Sequence, residues 1–154
     1  MARRPSGLLE LPAYEGAIRI ARFYLDRAGQ AATRLKKKGD EKALHDFRVS
    51  LRRLRSTLQA YAPYLAPAVS PKQRRKIRRV ASGTGGGRDA EGQLAWLEGR
   101  QLDVTIDEAA GVELVREKLE DQLAAGYGNA VSGALRKFAK LDRRLRRRLD
   151  DLET

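Results

Sequence analysis

The chain has 154 residues, 32 of them Lys or Arg against 20 Asp or Glu, giving a formal net charge of +12, and its length fits one domain. Hydrophobic residues make up 42%, aromatics 6% and charged residues 34%, a balance that favours a helical chain over a β-sandwich, a collagen or a disordered tail. Without cysteine there is no disulfide scaffold, zinc ribbon or thiol chemistry, and a reducing cytoplasm is the expected compartment.

Residues 1–13, with Pro5, Gly7 and Pro12, are expected to form a flexible arm ahead of a helical domain over residues 14–154. Apolar or small residues at Ala17, Ala21, Tyr24, Leu25, Ala28, Ala31, Ala32 and Leu35 predict a helix from Tyr14 to Lys38. Asp40 is the expected N-cap of a second helix that Pro63 stops near Ala62. Ser70 followed by Pro71 predicts a third, short helix ending near Gly83. The glycine-rich stretch Ser82 to Gly87 predicts a loop, Arg88 to Arg100 a further helix, and Asp103 to Ala110 a connector. From Gly111 to the C-terminus the apolar phase stays helical, and Gly126, Gly128 and Gly133 predict two helices or one kinked helix. The expected fold class is all-α, a bundle of about five to six helices. The longest uncharged stretch, Ser56 to Pro71, has 16 residues and two internal prolines, too short to span a hydrocarbon layer of roughly 30 Å as a helix. No membrane span and no secretory signal are expected.

Charge is segregated along the chain. Arg34 to Arg79 holds 15 bases and three acids, Asp89 to Asp121 holds ten acids and three bases, and Arg136 to Arg148 holds eight bases and one acid. A positive field concentrated in one block implies a polyanionic partner.

The Asp40–Ala62 helix carries the sharpest pattern. Leu44, Phe47, Leu51, Leu54, Leu58 and Tyr61 recur at spacings of 3, 4, 3, 4 and 3 and form one buried stripe. His45, Arg48, Arg52 and Arg55 repeat that spacing one residue later, so they form a second stripe at the margin of the core. Arg48 and Arg55 lie roughly 10 Å apart along the axis, a span suited to an extended anion. No glutamate or aspartate relieves their repulsion between Asp46 and Thr57, and guanidinium groups bind phosphate oxygens bidentately without ever deprotonating. His45, the only histidine, lacks companions for a metal site. It is read either as a hydrogen-bonded packing residue or as a contact to the anion.

His45-Asp46-Phe47-Arg48-Val49-Ser50-Leu51-Arg52-Arg53-Leu54-Arg55 resembles the signature helix of the conserved histidine α-helical domain, CHAD. Gly85-Gly86-Gly87-Arg88-Asp89 is similar to that family's Gly-x-x-Arg-Asp segment. The resemblance implies an all-helical protein whose basic surface binds inorganic polyphosphate. Carried over by position, it implies anion contacts at His45, Arg48, Arg52, Arg53 and Arg55, with Arg78, Arg79 and Arg88 as supplements. Family members pair two similar helical halves, whereas one histidine here marks one half. Two copies are therefore expected to associate as a homodimer that restores the two-half arrangement.

On the third helix some of the six charges are expected to be solvated, and Arg75, Arg78 and Arg79 are expected to share a binding face. Lys140, Arg143 and Arg147 fall on the outer face of the last helix and are read first as solvated surface, with an extended electrostatic path for a long ligand as the alternative. The glycine run lacks the Lys and Ser or Thr ending of a nucleotide loop, and a turn or hinge is expected there. The first functional expectation is non-catalytic binding of inorganic polyphosphate, with no cofactor and no metal, in the cytoplasm and with polyphosphate granules as a place of association. The alternative is a basic helical protein that binds nucleic acid, against which the burial of Phe47 and Tyr61 leaves little aromatic surface for stacking bases. Catalysis is not expected, because the alternating glutamates of the triphosphatases to which related domains are often joined are absent.

Overall fold

The computed structural model describes residues 2–37, 40–85, 88–99 and 104–154; within its helices the side chains of residues 41, 88–91, 125–127 and 129 lie outside that description. A 3-10 turn at Leu8–Glu10 precedes α1 (Ala13–Leu35), α2 (Glu41–Ala60), α3 (Ala62–Leu65), α4 (Pro71–Gly83), α5 (Arg88–Glu98) and α6 (Ile106–Glu153). All elements among the described residues are helical, as the periodicity predicts. The chain divides into two compact units, one of Met1–Ala81 with Ala134–Thr154 and one of Ser82–Gly133.

In the first unit, α1 packs along α2. Ala17, Ala21, Ala28 and Ala31 are buried with Ile18 and Leu25, and the small side chains let the two helices approach closely. The Asp40 carboxylate accepts from the Ala43 amide and caps α2 as expected. Leu44, Phe47, Leu51, Leu54 and Leu58 are buried in one stripe, and Tyr61 is half-buried beyond it. Ser50 and Thr57 widen the buried face. Their hydroxyls donate to the carbonyls of Asp46 and Arg53 at 2.7 and 2.9 Å, so neither hydroxyl is stranded by burial.

The C-terminal part of α6 supplies Phe138, Leu141, Leu145 and Leu149 to the same core. The Phe47 and Phe138 rings meet edge to face, with centroids 5.2 Å apart, a geometry worth about 1 kcal/mol beyond the area buried. Ion pairs bind α1 to this end of α6. Arg22 donates to Asp150 and, at 2.6 Å, to Glu153; Arg146 donates to Asp142 at 3.0 Å and to Asp26 at 2.6 Å. Burial opposes the charge of Arg146, but its hydrogen bonds to Asp142 and Asp26 raise its pKa above the ordinary value.

Two local signals decide boundaries that differ from expectation. Pro63 does follow the end of α2, yet it then stands in the first turn of α3, where its fixed φ and missing N–H are tolerated. Residues 106–153 form one continuous helix, so the helix begins inside the stretch expected as a connector and, of the two alternatives expected beyond Gly111, two separate helices are not formed. The start of α6 is set by a capping box in which the Thr105 amide donates to Glu108 Oε2 at 2.9 Å and the Glu108 amide to Thr105 Oγ1 at 3.4 Å. The same device opens α4, where the Ser70 amide donates to Gln73 Oε1 at 2.7 Å and the Gln73 amide to Ser70 Oγ at 3.4 Å.

The second unit contains α5 and residues 106–133 of α6. Leu97, Leu119 and Val131 are buried, whereas Trp96, Ile106 and Leu114 are exposed.

Candidate functional site

Arginine is distributed unevenly between paired and unpaired positions. Near the start of α2, Arg34 holds Asp40 through Nε at 2.7 Å and Nη2 at 3.0 Å, and Asp46 through Nη1 at 2.6 Å. These hydrogen bonds, to Asp40 first and Asp46 second, raise the Arg34 pKa, and the Arg34 hydrogen bond holds Asp40 below the usual carboxylate value. Asp46, the acid nearest the predicted basic row, is thus committed to α1. Among the described residues none of Arg52, Arg53, Arg55, Arg74, Arg75, Arg78 and Arg79 forms a salt bridge.

Part of that unpaired set converges. Arg55 and Gln59 of α2 and Pro71, Arg74, Arg75 and Arg78 of α4 line a cleft of about 570 Å³. Two helices with apolar stripes in one core bring these cations together, because each helix turns its basic edge toward the same groove. On α2, Arg55 is half-buried beside Leu54 and Leu58, with Gln59 one turn further on. On α4, Gln73, Ile77 and Val80 are buried, which turns Arg74, Arg75 and Arg78 away from the core on the α2 side. Like charges this close repel one another, and an entering anion with several negative groups relieves the repulsion while gaining forked hydrogen bonds.

The predicted site residues therefore separate. Arg55, Arg75 and Arg78 meet in the cleft. Arg48, half-buried, and Arg52, exposed, continue the same row of α2 toward its N-terminus. His45 lies at the far end of that row, exposed and without a side-chain hydrogen bond among the described residues, so it is not the hydrogen-bonded packing residue that one reading expected. Arg53 is exposed and stands about 160° around the axis from Arg55 at 100° per residue, on the opposite flank of α2. Arg79 lines a different cleft, on the α6 side of α4, although it stands one helical turn from Arg75 on the same crest of the helix. Arg88 opens α5, and its side chain lies outside the described residues, as do Gly86 and Gly87 of the glycine segment. Arg74 and Gln59 were not anticipated. Each stands four residues from a predicted contact, Arg78 and Arg55 respectively, and that spacing is the signal that could have found them.

These features define an all-helical protein that gathers arginines of two helices, without salt-bridge partners among the described residues, around an open cleft. Residues 19–154, nearly the whole chain, match the CHAD domain family, and the chain belongs to it. No curated protein and no solved structure shows significant similarity to the chain. Among the described residues no helix is long and apolar enough to cross a membrane.

Proposed function

We propose that this chain is a non-catalytic binding module for inorganic polyphosphate, which enters the cleft between α2 and α4. The observation that carries this is the contrast between Arg22, Arg34 and Arg146, all matched to carboxylates, and the four arginines of the cleft, which have no such partner among the described residues. Arginines that fold next to one another without acids are stabilised best by an anion from outside, and repeated phosphates match a row of guanidinium groups bidentately. Among the described residues the lining of the cleft contains no aromatic ring, which favours a ligand without bases to stack over a nucleic acid. Membership of the CHAD family supports the same ligand class. On this reading two copies pair to restore two basic halves, and association with polyphosphate granules follows from the ligand.

Equilibrium titration with polyphosphate at two salt concentrations tests the proposal, with single- and double-stranded nucleic acid as competitors. Affinity is expected to fall steeply with salt as counterions are released and to weaken in Arg55→Ala and Arg75→Ala. Unchanged affinity in both variants, or preferential displacement by nucleic acid, would sink it. Sedimentation with and without polyphosphate reads the pairing, and a monomer in both conditions refutes it.

A further inference from the structure

Helix α4 is flanked by positive charge on both sides. Beyond the first cleft, Lys76 and Arg79 face Lys137, Lys140 and Arg144 of α6 across a second cleft of about 300 Å³, floored by the buried Val80 and Leu141. Both clefts belong to the first unit. Among the described residues none of these five cations forms a salt bridge, although α6 carries acids nearby that are committed to Arg22 and Arg146. Arg75 lines the first cleft and Arg79 the second; they are one helical turn apart, with Cβ atoms about 6 Å from each other. A phosphate chain crossing α4 from the first cleft to the second would therefore pass from Arg75 to Arg79. Arg144 also borders a third depression with Arg147 and Arg148, where Asp151 introduces the first carboxylate along the path.

We propose that the two clefts form one track across α4 and that this track makes the chain discriminate polyphosphates by length. An oligophosphate of a few units is held in the α2–α4 cleft alone, whereas a long chain also occupies the α4–α6 cleft. The second contact is intramolecular once the first has formed, so it multiplies affinity by the effective concentration of the tethered chain. The proposal rests on the polyphosphate reading above and adds to it the second cleft and the preference for long chains.

The test uses the double variant Lys140→Ala/Arg144→Ala, in which both residues are exposed on the rim, and the milder Lys140→Gln/Arg144→Gln. Each is titrated with tripolyphosphate and with long-chain polyphosphate beside the wild type and Arg55→Ala/Arg78→Ala. Long-chain affinity is expected to fall about tenfold or more in the second-cleft variants, with a shallower salt dependence, while tripolyphosphate affinity stays within about twofold. Retained tripolyphosphate binding also reports that the fold is intact. Equal weakening of both ligands, or no change in long-chain affinity, overturns the track. If the second-cleft variants bind normally while Arg55→Ala/Arg78→Ala is weakened, only the track fails. If the wild type binds neither phosphate, the polyphosphate reading itself fails.

Discussion

Replacing Arg78 by alanine should move stability and binding in opposite directions. Arg78 is exposed, and it has Arg74 four residues before it and Arg75 three before it in the same cleft. Like charges at these spacings cost a few tenths of a kcal/mol per pair, and arginine and alanine have similar helix propensity, so removing two pairs should stabilise the free protein by roughly 0.5 kcal/mol. For a chain of this size that corresponds to a melting temperature about 1–2 °C higher at low salt. With ligand the sign reverses, because one charge-assisted contact is lost. At a partly solvated site its net worth is about 1.4 kcal/mol, which is a tenfold weaker polyphosphate affinity. Thermal melts at low ionic strength, without and with excess polyphosphate, measure both effects in one experiment. A lower melting temperature for the free variant would show that Arg78 is structural, and unchanged ligand stabilisation would show that the cleft is not where phosphate binds. Either result refutes the reasoning.

Asp40 titrates below its usual value of 3.8 because of its hydrogen bond with Arg34, so its stabilising contribution is complete above that pH and is lost as pH falls through the lower folded value. Acid melts should therefore show the wild type losing stability more steeply below about pH 4 than Asp40→Asn, which keeps a capping side chain but not the ion pair; parallel profiles would contradict this. Phe138→Ala should cost about 3–5 kcal/mol by denaturant unfolding, because it empties a buried site against the Phe47 ring, and a cost below about 1 kcal/mol would mean that the two helices do not pack as described. Thr105→Ala should speed amide exchange at Glu108 about fivefold by removing the acceptor at the start of α6, with polyphosphate affinity unchanged; equal exchange rates would place the helix start elsewhere.

The core of α2 was legible because Leu44 to Leu58 repeat at helical spacing without interruption, and Asp40 and Ser70 announce their caps in residue type and position. The start of α6 was equally available in the capping pair Thr105 and Glu108, inside the stretch expected as a connector. Local propensity at Gly126, Gly128 and Gly133 argues for a break, whereas a continuous apolar face ending in Val131, Phe138 and Leu145 favours one helix once it is packed. The site was half legible for a different reason. Periodicity assigns each arginine to an edge of its own helix but does not say which helix lies opposite that edge. Arg74 and Gln59 became part of the cleft only when α4 and α2 were placed side by side. Arg78 and Arg79, consecutive and about 100° apart around α4, were sent to different clefts.

The most direct measurement is an NMR titration with polyphosphate that follows the arginine side-chain Nε–Hε resonances one by one. Those of Arg55, Arg74, Arg75 and Arg78 should shift first and together, while Arg22, Arg34 and Arg146, already held by carboxylates, should stay in place. Early shifts of the paired arginines, or uniform small shifts across the whole set, would contradict a phosphate site between α2 and α4.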